Sequence, residues 1–142
     1  MSRLANTLNS GEFAVTCELN PPKGIDLTGL FEKSKALKDI AVAINVTDSA
    51  SSRMTMGNIA VAHLLLDRGI EPILQITCRD RNRLALQSEL LAAFGLGITN
   101  MLFMSGDPPK GGDHPDAKGV FDLNASELLV AARGLSLGKD MA

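Results

Sequence analysis

The chain has 142 residues, a net charge of −2 and 45% hydrophobic residues, which indicate one globular domain with enough apolar material for a core. Lys and Arg form no basic block, so the composition does not favour a nucleic-acid-binding surface. The longest apolar run, residues 59–66, is far shorter than the roughly 20 residues that span a bilayer. Because the N-terminus has no signal-peptide pattern, we expect no membrane segment and a cytoplasmic protein.

Short strand-like runs alternate with stretches of helical periodicity along the chain. The predicted strands are residues 13–19, 42–47, 72–78 and 100–105. The predicted helices are residues 28–39, 58–68, 82–94 and a last one that starts near Asn124. We expect Asp80 to cap the third helix, which buries Leu86, Leu90, Leu91 and Phe94. Asn124 and Glu127 form a capping-box pattern at the last helix.

Four strand–helix units in succession predict right-handed connections and a parallel α/β sheet. Two architectures fit the pattern, an open doubly wound sheet and a segment of a (β/α)8 TIM barrel. The first strand is not followed by G-x-G-x-x-G, and the chain has no phosphate-binding loop with its lysine. These absences favour the barrel, in which four units give parallel strands in the order 1-2-3-4.

Functional side chains of both architectures gather where the strands end. Glu18 is the strongest candidate, because a carboxylate at the end of an apolar strand is costly to bury without a partner and could serve as a general acid. The alternative is a rim glutamate that is solvated or paired with Lys23 or Arg79. Asp107, in a Gly-Asp-Pro-Pro segment before a long loop, could bind a polar ring or form an ordinary turn.

A metal site has little support in the sequence. The two cysteines, Cys17 and Cys78, are 61 residues apart, lie inside apolar runs and form no Cys-x-x-Cys motif. We therefore expect buried, reduced thiols and no metal.

Five segments that fall at predicted strand ends resemble the methylenetetrahydrofolate reductase family. They are Glu18-Leu-Asn-Pro-Pro-Lys-Gly, Asn45-Val-Thr-Asp with Arg53-Met, Gln75-Ile-Thr-Cys-Arg-Asp-Arg-Asn, Ser105-Gly-Asp-Pro, and Gly112-Asp-His-Pro with Val120-Phe-Asp. Their order along the chain gives the resemblance its specificity, which extends over residues 13–135. The chain is most similar to the reductase part of bifunctional proteins that also carry a homocysteine S-methyltransferase.

The resemblance implies a TIM barrel that binds FAD and reduces 5,10-methylenetetrahydrofolate to 5-methyltetrahydrofolate with NAD(P)H or another electron donor. Glu18 looks like the general acid, and Asp107 resembles the catalytic aspartate beside the flavin and the pterin. The FAD site is expected to include Thr47, Gln75, Ser105, Gly106 and Asp107. Some relatives have histidine at the position of Gln75 and arginine at that of Ser105, which leaves the electron donor open.

A complete (β/α)8 barrel usually has about 250 residues. We therefore interpret residues 1–142 as the N-terminal half of a reductase-like barrel, with its core at about residues 13–135. The first and last strands would then have unpaired edges, which predicts a missing C-terminal half or self-association. The alternatives are a non-catalytic or truncated module that needs a partner or further chain, and an unrelated doubly wound domain with strand order 2-1-3-4.

Overall fold

The computed structural model describes residues 1–142, and a four-stranded parallel sheet forms its centre. The strands are β1 (Thr16–Leu19), β2 (Ala43–Val46), β3 (Pro72–Thr77) and β4 (Asn100–Met104). Their order in the sheet is β1-β2-β3-β4, with every neighbouring pair parallel. This confirms the predicted α/β fold and strand order, and it excludes the doubly wound order 2-1-3-4.

Five helices accompany the sheet, four of which follow a strand as predicted. They are α1 (Arg3–Ser10), α2 (Thr28–Leu37), α3 (Asn58–Leu66), α4 (Arg83–Gly95) and α5 (Ala125–Ser136). The sequence interpretation missed α1, an exposed helix with no buried residue. Its first turn is held to the sheet by Glu71, whose carboxylate accepts hydrogen bonds from the backbone N–H groups of Arg3 and Leu4. None of these helices is long and apolar enough to cross a membrane.

Side-chain caps fix two of the helix starts. The capping box at α5 is confirmed, because Asn124 accepts from the Glu127 backbone N–H and the Glu127 side chain accepts from that of Asn124. The expected cap of α4 is wrong. Asn82 caps that helix by accepting from two backbone N–H groups, whereas Asp80 pairs with Arg79. Asn82 caps the helix because it directly precedes the first helical residue, so its side chain can reach the free N–H groups of the first turn.

The core lies between the sheet and its helices. Alternate strand residues point into it, such as Ile44 and Val46 on β2 and Leu74 and Ile76 on β3. Each fully buried aliphatic side chain contributes roughly 1.5–3 kcal/mol relative to an exposed one. Both thiols are free; Cys78 is buried in this core, while Cys17 is only half-buried.

One face of α4 differs from the expectation. Leu86 and Leu90 are buried as predicted, but Leu91 is 58% and Phe94 is 72% exposed. The buried stripe continues through Ala93 instead. Because residues are spaced by about 100° around a helix, a stripe through 86, 90 and 93 turns positions 91 and 94 outward.

The other face of the sheet carries the polar positions of the strands. The register pairs Glu18 on β1 with Asn45 on β2, and Asn45 in turn with Ile73 on β3. A hydrogen bond of 3.0 Å joins Glu18 to Gln75 on β3, across the intervening strand. Alternate strands contribute to one side-chain layer inside a TIM barrel. The architecture is therefore that of part of a barrel, with this face on the inside.

Candidate active site

A cleft of about 400 Å³ opens at the carboxyl ends of the four strands. Its lining residues come from every strand end and are mostly polar: Glu18, Thr47, Asp48, Ser49, Ala50, Ser51, Gln75, Thr77, Arg79, Met104, Gly106 and Asp107. Five of the six predicted site residues are therefore brought together, with the two carboxylates Glu18 and Asp107 on the same cleft.

Glu18 is exposed to the cleft rather than buried. Its carboxylate Oε2 accepts a hydrogen bond from Nε2 of Gln75 at 3.0 Å. The cations named in the alternative interpretation do not contact it, because Lys23 pairs with Asp113 and Arg79 pairs with Asp80. Glu18 is thus an accessible carboxylate whose polar contact is a neutral amide.

The ends of β2 and β3 are joined by a buried carboxylate. Asp48 accepts from the backbone N–H and the hydroxyl of Thr77, and Arg81 donates to both of its oxygens at 2.7 and 3.0 Å. Burial works against the ionised form of Asp48, but the hydrogen bonds and charge of Arg81 with those of Thr77 hold its pKa below the ordinary value. The same pairing raises the pKa of Arg81 against the effect of its own burial. Both groups therefore stay charged.

Thr47 lies immediately before this carboxylate and is also buried, with its hydroxyl donating to Oδ1 of Asn20 at 2.8 Å. That contact links the β2 end to the loop after β1. The hydroxyl proton of Thr47 is therefore already used, and the oxygen remains free to accept a hydrogen bond from a ligand.

Arg79 is the largest buried polar residue of the cleft, with 3% of its surface exposed. Its guanidinium donates to Asp80 and also to the Ser49 carbonyl and the Ser52 hydroxyl. The hydrogen bonds to Asp80 raise the pKa of Arg79 despite burial. Arg79 thereby supports the loop after β2, in which Ser49, Ser51 and Ser52 have φ of 49°, 54° and 56°. Left-handed non-glycine residues are strained and occur at functional sites.

Gly106 is required for close packing at the end of β4. Its φ is +91°, and a Cβ there would lie 3.0 Å from Cβ of Thr77 and 3.1 Å from that of Arg79. The next residue, Asp107, has its carbonyl held by the Ser52 hydroxyl at 2.7 Å, while its side chain is exposed at the cleft. Ser105 is exposed and does not line the cleft, because its neighbours Met104 and Gly106 take the cleft-facing positions.

The long connection after β4 folds back over the rim of the cleft. Asp113 forms an ion pair with Lys23 and accepts from the Met54 backbone N–H at 3.0 Å. These contacts, led by the hydrogen bond from Lys23, lower the pKa of Asp113 to about 2. Asp113 therefore connects three loops, those that follow β1, β2 and β4. The neighbouring His114 is exposed, and its Nε2 lies 4.0 Å from Oδ1 of Asp113.

The sequence interpretation counted Asp48, Thr77 and Arg79 among the polar residues at strand ends but gave them no role in the site, and it did not select Ser49 or Ser51. Asp48, Thr77 and Arg79 carried a usable signal, since each is a polar residue at the end of a predicted strand. The serines gave no such signal, because their place in the cleft depends on loop conformation. No cluster of three or more His, Cys, Asp or Glu side chains could hold a metal ion.

Parallel strands in the order 1-2-3-4, alternating helices and a polar cleft at the carboxyl ends of the strands place the chain in the α/β class, with the architecture of part of a TIM barrel. The chain belongs to the methylenetetrahydrofolate reductase family, because the family model with that description matches residues 3–134. The match includes every strand and every residue that lines the cleft. Family membership indicates an oxidoreductase of folate metabolism. No curated protein matches this sequence.

Proposed function

We propose that this chain serves the flavin-dependent reduction of 5,10-methylenetetrahydrofolate to 5-methyltetrahydrofolate, with NAD(P)H or another electron donor. The observation that carries the proposal is the shared cleft of Glu18 and Asp107, in a chain of this family. Residues 1–142 would act as the N-terminal half of the reductase barrel, in the cytoplasm.

The residues at the cleft fit a flavin. An isoalloxazine ring presents hydrogen-bond donors and acceptors along one edge, and Thr47, Gln75 and Asp107 supply both kinds of group. Gly106 lets the backbone approach a planar ring, because no side chain projects from it. These four residues would hold FAD, which supplies the hydride when it is bound. Ser105 would contribute only if the ligand extends beyond the cleft described above.

Glu18 is proposed to be the general acid. An acid must reach the atom that it protonates, and Glu18 is exposed to the cleft rather than held in an ion pair. Its proton would pass to a folate nitrogen, so that the five-membered ring opens to an iminium that can accept hydride. Asp107 follows β4, across the cleft from Glu18 on β1, and would bind the polar edge of the pterin or flavin from there.

The substitution Glu18→Gln tests this role, because the amide keeps the shape of the side chain but cannot supply the proton. We expect FAD binding to persist and folate reduction to fall by roughly 10²- to 10⁴-fold. The measurements are the flavin absorbance spectrum and anaerobic turnover with methylenetetrahydrofolate. Glu32→Gln on α2 is the matched control, since Glu32 is exposed and lies outside the cleft. Near-normal turnover of Glu18→Gln would contradict the assignment.

Exposed apolar residues near the edges of the sheet favour a second candidate, a non-catalytic half-barrel module that binds a partner. Phe13 precedes β1 and is 92% exposed, and Leu102 on β4 is 43% exposed. Exposed apolar groups beside unpaired strand edges are typical of surfaces that another element covers. Adding the remaining four strand–helix units distinguishes the two: turnover of the completed barrel supports the reductase, whereas a completed barrel that stays inactive supports the non-catalytic module.

A further inference from the structure

We propose that Gln75 is a positioning residue for Glu18 and determines which of its two carboxyl oxygens carries the transferable proton. The inference rests on the proposed acid role of Glu18. It gives Gln75 a function toward another side chain of the cleft, in addition to the contact with FAD that its motif implies.

The first argument is the geometry of the contact. Gln75 lies two residues beyond Ile73, whose row of the sheet contains Asn45 and Glu18. The strands β1 and β3 lie on either side of β2, and two such strands are about 9–10 Å apart in a flat sheet. The two side chains nevertheless meet at 3.0 Å, because both point into the concave face.

The second argument is that Gln75 is the fixed member of the pair. It is only 6% exposed, and its backbone carbonyl accepts from the buried amide of Asn58 at the start of α3. Its own strand is hydrogen-bonded on both sides, to β2 and β4. Glu18 is exposed and lies on a strand with one such neighbour. The position of the amide therefore sets the position of the carboxyl group.

The third argument is the chemical nature of the donor. A cation would strongly favour the ionised carboxylate, but the nearby Lys23 and Arg79 are paired elsewhere. The neutral amide can donate to Oε2 whether Glu18 is protonated or ionised. Because Oε2 accepts in both states, the proton is carried by Oε1, moves from there to the folate nitrogen, and leaves a carboxylate that Gln75 still binds.

The contact can be tested without cofactor by following the side-chain amide resonances of Gln75 by NMR across a pH titration. We expect most of their pH-dependent shift in the wild-type protein to be lost in Glu18→Gln. Asp48, Arg79 and Asp107 also line the cleft and are unchanged in that variant, so any remaining shift reports on them. Gln87 is the internal control, since its amide bonds the Arg83 carbonyl on α4. A pH-dependent shift of the Gln75 amide that keeps its wild-type size in Glu18→Gln would overturn the proposal.

Turnover separates positioning from a merely structural role. Gln75→Leu, which removes the donor, should lower kcat for folate reduction by up to about 100-fold at saturating FAD, with little change in KM for the folate. Gln75→His restores an N–H donor and should recover most of the loss, and thermal unfolding checks that both variants fold. The positioning role fails if Gln75→Leu keeps wild-type kcat while Glu18→Gln loses it. If Glu18→Gln itself keeps turnover, the proposed function fails instead.

Discussion

The cleft combines two regions of opposite character, the ends of the central strands β2 and β3 and the ends of the edge strands β1 and β4. The central region contains Asp48, Thr77 and Arg79, which are all buried and hydrogen-bonded to one another or to the adjoining loops. The edge region contributes Glu18 and Asp107, whose carboxylates are exposed. The comparison teaches that charges which hold the cleft together and charges available to a ligand come from different strands.

The cause is the number of neighbours that each strand has. A residue at the end of β2 or β3 is surrounded by strands and loops on both sides, so a charge there must be paired to avoid a large desolvation cost. A residue at the end of β1 or β4 in this chain has a strand on one side only. Water can then solvate its charge without a fixed partner.

The largest expected effect is the loss of the central carboxylate. Asp48→Ala leaves the partly buried Arg81 with Glu89 as its one remaining ion-pair partner, and it removes the acceptor of two hydrogen bonds from Thr77. We expect a loss of about 3 kcal/mol in the free energy of unfolding, measured by urea denaturation. Asp107→Ala is the matched control at an edge strand and should change stability little. Equal effects of the two substitutions would remove the distinction between the regions.

The same pair gives a pH dependence that sharpens the comparison. The pKa of Asp48 in the folded protein lies below its ordinary value of 3.8. Its contribution to stability is therefore complete above that ordinary value and is lost as the pH falls through the lower folded-state value. Asp48→Asn should show a smaller acid-induced loss of stability than the wild type between about pH 5 and pH 2. Parallel curves for the two proteins would be the contrary result.

A smaller effect is expected where an edge strand contacts the central region. Gly106→Ala places a Cβ 3.0 Å from that of Thr77, at a φ of +91°. We expect a cost of roughly 1–3 kcal/mol in urea unfolding, together with weaker flavin binding. Gly111→Ala is the control in the same loop, because a Cβ there meets nothing within 4 Å and its φ is not left-handed. A Gly106→Ala protein as stable as this control would show that the strand end can shift freely.

The smallest effect is expected just outside the cleft. Ser105→Ala removes an exposed hydroxyl and should change stability by less than about 0.5 kcal/mol. It should also weaken flavin binding less than Thr47→Ala, which removes a buried hydroxyl bonded to Asn20. Flavin titration of the two variants makes the comparison. A stronger effect of Ser105→Ala would mean that the binding region continues past the end of β4.

The strands and most helices could be predicted because their signals are local. Alternating apolar runs and helical periods fixed four strand–helix units, and the Asn124–Glu127 capping box is visible as two residues at the right spacing. The five cleft residues among the predicted site positions all fall at strand ends, but it was the family resemblance that implied their roles. Position in a parallel sheet decides which residues can meet.

The rest depended on contacts between distant segments. Arg79 was considered as an alternative partner of Glu18, but it is buried, donates to Ser49 and Ser52 and pairs with Asp80. The capping residue of α4 differed from the expected one because several adjacent polar residues offer similar signals. The helix α1 is short, precedes the first strand and buries no residue, and the sequence interpretation began only at residue 13.

The ion pair between Lys23 and Asp113 joins residues 90 positions apart in the chain. Contacts between such distant segments are made only after the segments have been brought together. We expect this pair to form after the four strands have aligned. Asp113→Ala should then speed unfolding and leave the folding rate nearly unchanged, as stopped-flow kinetics would show.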